Sequence, residues 1–114
     1  MKAIRIDVTK KTFEVVEISD YKDIYKHIGE NCSMFEVPYS FDNGDAIYVD
    51  EEGLYHDFEG GFKMKDWSYP VVGNALILGT DFETGESQSV LTKVEELQKH
   101  IMFVSKQEFY NTVS

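Results

Sequence analysis

Two glycines bracket the most apolar run of the chain, in the stretch from Tyr69 to Glu86 that reads YPVVGNALILGTDFETGE. A phosphate-cradling loop needs G-x-x-x-x-G-K-[ST], with glycines that open a helix and a lysine that reaches the phosphates. Gly73 and Gly79 have five residues between them instead of four, Thr80 stands where the lysine should, and the interval reads as strand. Gly73 is therefore expected to mark a bulge or a close packing contact, and Gly79 to end the strand. Asp81, Glu83 and Glu86 lie around Gly85, but only two of them precede Thr84. An EF-hand loop alternates its ligands up to a glycine directly after the third, so a solvated turn is the simpler expectation.

The remaining reactive residues do not form a constellation. His27, His56 and His100 are far apart and none begins an H-x-x-x-H pair. His56 and Asp57 are adjacent, and in a strand they would point to opposite faces, which denies a hydrolase its oriented base. His27 falls near the end of an expected helix, where a structural interaction with the dipole suffices. Cys32 is the one cysteine and cannot form an internal disulfide, a thiol redox pair or a zinc motif. No catalytic residue, metal ligand or cofactor is expected.

Charge is the unusual feature. The formal net charge is -10, and residues 41–62 carry seven acids (Asp42, Asp45, Asp50, Glu51, Glu52, Asp57 and Glu59) with no lysine or arginine. Such a field repels nucleic-acid backbones and anionic lipid and favours basic protein surfaces. The opening MKAIRID lacks the apolar core of a signal peptide and no stretch approaches a membrane span, so a cytoplasmic location is expected.

At 114 residues with 42% hydrophobic side chains, one core and one domain, 1–114, are expected. Ile4, Ile6 and Val8 alternate with Arg5 and Asp7, and FEVVEI at Phe13 to Ile18 follows a polar turn, which predicts a hairpin. Tyr21, Ile24, Tyr25 and Ile28 make one stripe of a helix capped by Ser19 or Asp20 and stopped at Gly29. Ser33 to Val37 reads as a strand ended by Pro38, and Asn43-Gly44 as a turn. Ala46 to Val49 and Leu54 to Phe58, joined by DEEG at Asp50 to Gly53, predict an acidic hairpin. Phe62 to Tyr69 shows no period and reads as a loop, whereas Val71 to Leu78 suits one central strand covered on both faces. Val90 and Leu91 extend a later strand. Thr92 with Glu95, and Ser105 with Glu108, have capping-box spacing before a helix over Lys93 to His100 and a terminal helix over residues 105–114, with Ile101 to Val104 a strand between them. The fold class is α+β: a largely antiparallel sheet of about five to seven strands, with two or three short helices packed on one face.

The order of these segments, and above all DEEG at Asp50 to Gly53 and PVVGNALILG at Pro70 to Gly79, resembles DUF3846, a domain-of-unknown-function family of short proteins from phages, prophages and plasmids. The resemblance runs from about Met1 to Val104. It implies a mobile-element origin and a bacterial cytoplasm, and it brings no activity or catalytic residue. The segment Tyr55 to Trp67 is aromatic and glycine-rich where a short polar connection is the family expectation.

The function expected from the residues is a non-enzymatic accessory protein that presents an acidic hairpin to a host or viral protein. Its binding residues would be Asp45, Tyr48, Asp50, Glu51, Glu52, Tyr55, Asp57, Glu59 and Trp67, with the aromatic rings as anchors. The alternative is a binder of a small molecule or nucleotide-like signal, with rings drawn from the chain's aromatic complement stacking in a pocket or at a dimer interface. Self-association through an exposed sheet edge is compatible with either, and the sequence does not decide it.

Overall fold

Ile4 and Ile6 turn to one face of the first strand and Ala3 to the other, and this alternation sets the layers of the protein. A computed structural model describes residues 1–29, 34–53, 58–81 and 83–113. In chain order these hold β1 (Lys2–Asp7), β2 (Thr12–Glu17), α1 (Tyr21–Ile28), β3 (Phe35–Ser40), β4 (Ala46–Asp50), β5 (Gly60–Met64), β6 (Val71–Val72), β7 (Ala75–Thr80), β8 (Ser87–Gln88), α2 (Val94–His100), β9 (Ile101–Ser105) and α3 (Lys106–Val113). The α+β class and the antiparallel pairing are as the sequence predicts. The strands, however, divide into two sheets, one of six in the order β2-β1-β7-β4-β3 with β8 paired to β7, and one of three in the order β6-β5-β9.

β7 is the centre of the larger sheet. Ile77 pairs with Ile4 on one side and Ile47 on the other, so a row of isoleucines crosses three strands. Ala75 and Ile77 face the smaller sheet, among Ile6, Val49, Phe62 and Met64. Leu76 and Leu78 face α1, among Ala3, Ile18, Ile24 and Ile28. A strand covered on both faces needs to be apolar throughout, which explains ALIL. The helices are shared between layers: α1 covers the outer face of the larger sheet, Leu97 of α2 enters the core between the sheets, and Phe109 of α3 packs on Phe58 and Val72.

Local signals are obeyed where they are strong. The Asp20 carboxylate accepts from the Lys22 N–H at 2.8 Å, and Asp23 reaches back to accept from Ser19 at 2.7 Å, so α1 begins in a capping box. Gly29 ends it, donating to the Tyr25 carbonyl. At α3 the Ser105 hydroxyl accepts from Glu108 N–H at 3.1 Å, and the Glu108 carboxylate accepts from Ser105 N–H at 3.2 Å.

Several expectations are corrected. The segment Phe62 to Tyr69, read as an aperiodic loop, begins inside β5 (Gly60–Met64), the middle strand of the smaller sheet, whose first two residues are Gly60 and Gly61. Its glycines are there for proximity: a Cβ on Gly61 would lie 2.2 Å from the Val71 carbonyl oxygen. The single strand expected over Val71 to Leu78 is two, β6 and β7, in different sheets. Gly73 makes the crossing with φ +80, a backbone that side chains disfavour. Gly79 does not end β7 but lies within it, paired to Gln88. Pro38 does not end β3 either, because β3 is an outer strand and absorbs the proline at a register shift between Glu36 and Tyr39. The later strand is Ser87–Gln88, before Val90 and Leu91. Finally, β4 is flanked by β3 and β7, so neither of its edges is left for a returning strand, and the expected acidic hairpin does not form about it. Leu54 to Asp57 lie outside the described residues.

Candidate functional site

The described acids of residues 41–62 are not gathered on one surface. β4 separates Asp42 and Asp45 at its start from Asp50, Glu51 and Glu52 at its end. Asp45 is fully buried. Its carboxylate accepts from the N–H of Leu91 at 3.1 Å, the N–H of Thr92 at 2.7 Å and the Thr92 hydroxyl at 2.5 Å, which clamps the Asn43-Gly44 turn to the segment before α2. A charge in this position is stabilised by being fully ligated with donors. Asp45 is thus structural and leaves the expected binding set. The same contact displaces the predicted cap of α2: the Thr92 hydroxyl goes to the carboxylate, and the N-cap is Lys93 without a side-chain bond.

At the other end of β4, Glu36, Asp50 and Glu51 are among the residues lining a cleft of about 250 Å³. Glu36 stands on β3 directly opposite Val49 of β4, so register places it beside Asp50 and Glu51 at the strand's end. The Glu51 N–H donates to the Met34 carbonyl at 3.0 Å, and the Asp50 carboxylate accepts from the Glu52 N–H at 2.9 Å. These bonds fix the turn. The far wall comes from Tyr69, Pro70 and β6, and Phe109 of α3 closes one side. Phe109 is held edge-on to Phe58 with ring centres 5.6 Å apart. Tyr69 is 65% exposed, so its ring stands at the mouth. No lysine, arginine or histidine is among the described lining residues.

Of the expected binding residues, the structure brings together Asp50 and Glu51, with Glu52 half-buried next to them. Tyr48 packs edge-on to Phe35 at 5.2 Å on the α1 side of the larger sheet. Trp67 packs near Tyr39 and Phe62 on the opposite side, at 6.1 and 6.3 Å, so these two rings cannot serve one surface. Glu59 is exposed just before β5. Tyr55 and Asp57 lie outside the described residues. Sequence reasoning missed Glu36, Tyr69 and Phe109, which reach the cleft through the pairing of β3 with β4, the segment leading into β6 and the packing of α3 respectively. The one available signal was Tyr69 ahead of Pro70, an exposed aromatic on an extended backbone.

The other candidate chemistries have structural explanations. The amides bracketing the apolar run are occupied, Gly73 N–H by the Gly60 carbonyl and Thr80 N–H by the Gly44 carbonyl. Asp81 closes its own turn by accepting from Glu83 N–H at 2.9 Å. Among the described residues no group of three or more His, Cys, Asp or Glu stands close enough to hold a metal ion. His27 is half-buried at the end of α1, and its pKa lies below the ordinary 6.5 because burial, and then the nearby Arg5 guanidinium, disfavour the imidazolium. The helix dipole therefore does not dominate there. No helix among the described residues is long and apolar enough to cross a membrane.

The chain belongs to the family described as Domain of unknown function (DUF3846), which it matches over residues 1–102. β1 through α2 and the start of β9 fall within the match, and α3 lies beyond it. No curated protein and no solved structure is similar enough to match.

Proposed function

With membership of this family as the premise, we propose that the protein is a non-enzymatic accessory protein of a phage or related mobile element, acting in the cytoplasm of a bacterial host. Its cleft between β4, β6 and α3 takes a basic segment of a host or viral protein. The observation that carries this reading is that three acidic residues, Glu36, Asp50 and Glu51, and no basic one line a largely apolar hollow with an exposed tyrosine at its mouth. Carboxylates around a ring-lined hollow suit a lysine or arginine side chain, whose aliphatic stem packs on Tyr69 while its charge meets the rim. A nucleotide-like anion is disfavoured by the same three carboxylates, which weakens the small-molecule alternative.

The test is binding of an array of lysine- and arginine-bearing peptides, with sequence-matched acidic peptides as controls. Selected basic peptides should bind the intact chain and lose about tenfold in affinity to a Glu36→Gln, Glu51→Gln double variant, a loss that shrinks as salt is raised. Tyr69→Ala should weaken binding at all salt concentrations. Basic peptides that bind the double variant as well as the parent would refute the site.

A further inference from the structure

The larger sheet ends in two outer strands, and they differ. β3 carries Pro38, which has no N–H to offer, and a register shift, two devices that blunt an edge against further pairing. β2 has neither. Its six residues run in unbroken register against β1, without proline or glycine, and no other described strand pairs with its outer side. Val15, in the middle, is 60% exposed.

Charge along β2 is sorted by end. Lys10 and Lys11 precede it, Glu17 is its last residue and Asp20 follows, and all four are exposed. Within the same chain Glu14, between them, is met by Arg5 at 3.8 Å and Lys10 at 3.9 Å, and Glu17, 72% exposed at its side chain, by the N-terminal ammonium at 3.6 Å. When two copies of such a strand pair antiparallel, the basic end of each meets the acidic end of the other, twice; parallel pairing would set like charges together. Residues directly opposite must share a face, so the pairing is centred on a residue. Centring on Glu14 sets two carboxylates against each other. Centring on Val15 places two valines on the axis, Phe13 opposite Glu17, and Lys11 diagonal to Glu17.

We propose that the outer edge of β2 is an interface for a second copy of this chain, paired antiparallel about Val15 so that the two large sheets continue one another. β3 and the acidic cleft lie at the opposite edge of the sheet and remain open, so this interface stands independently of the cleft.

Light scattering on the full chain at rising concentration tests it. The mass should rise from 13.2 kDa toward twice that value. Val15→Lys should weaken the association about tenfold or more, while the β-branched Val15→Thr should retain it. Lys11→Glu and Glu17→Lys should each weaken it alone, and the two together in one chain should restore it, because the reversed strand is again self-complementary. Should Val15→Lys fail to fold by far-UV circular dichroism, the charge-reversal arms decide. A parent chain that stays monomeric, a dimer unaffected by Val15→Lys, or a double reversal no better than the single ones would each overturn the proposal.

Discussion

Replacing Asp45 should cost more stability than replacing any other described acid of residues 41–62. Its fully buried carboxylate is the acceptor for two backbone N–H groups and one hydroxyl. A hydrogen bond to a charged group contributes about 1.5–3 kcal/mol, and a buried donor left without its acceptor costs about 1–3 kcal/mol. The three contacts share one carboxylate and are not additive. Leu91 itself is 58% exposed, so water can recover part of the loss at its N–H. Asp45→Ala is accordingly expected to cost about 3 kcal/mol, against a total folding stability on the order of 5–15 kcal/mol. With a urea slope of about 1–3 kcal/mol/M, the unfolding midpoint should fall by about 1–3 M. Asp45→Asn keeps the shape and one acceptor oxygen and should cost about 1–2 kcal/mol. Thr92→Val removes only the hydroxyl donor. In a double-mutant cycle with Asp45→Asn it should show a coupling of about 1 kcal/mol. A loss under about 1 kcal/mol for Asp45→Ala, or no coupling to Thr92, would refute the idea that this carboxylate clamps the turn to the α2 segment.

Gly61→Ala should destabilise by about 2 kcal/mol or more, read by urea denaturation, because the new methyl would meet the rigid Val71 carbonyl in the middle of the smaller sheet. Ser105→Ala should cost about 1 kcal/mol of stability and raise hydrogen exchange in α3 ahead of the rest, since it removes one half of the capping box. His27 should make stability fall as pH drops. Its folded pKa lies below 6.5, so the unfolded chain binds the extra proton first, and the contribution is complete above 6.5 and lost as pH falls toward the folded value. Urea midpoints measured from about pH 7.5 to 5.5 should therefore decline less steeply for His27→Gln than for the parent chain.

Elements written in neighbouring residues could be read directly. The β1–β2 hairpin, α1 with Asp20 and Gly29, and the Ser105–Glu108 cap all close within a few residues, so local chemistry decides them. What could not be read was which distant backbone comes near. Gly60-Gly61 interrupts the hydrophobic pattern in sequence, yet its small size serves the approach of β6 and β9 on either side. Thr92 and Glu95 have the spacing of a capping box, but the Thr92 hydroxyl donates to a carboxylate from far along the chain and the helix starts one residue later, with Lys93 as its N-cap. The cleft was half legible for the same reason. Asp50 and Glu51 stand out in DEEG, whereas Glu36 joins them only through strand register and Phe109 only through the docking of α3.

The division of the acids by β4 also changes what the net charge means. From Asp45 to Asp50 an extended chain spans roughly 16 Å. That is about two Debye lengths at physiological ionic strength, so the two acidic ends act on partners separately. One end is turned inward, with Asp45 ligated and only Asp42 exposed. The other keeps Glu36 and Glu51 at the surface of the cleft. A partner drawn by overall negative charge would respond equally to neutralising either end. A partner seated in the cleft should lose affinity and salt dependence with Glu51→Gln and be indifferent to Asp42→Asn, measured by calorimetry at low and high salt. Equal effects from the two substitutions would show that the field of the whole molecule, and not the cleft, attracts the basic segment.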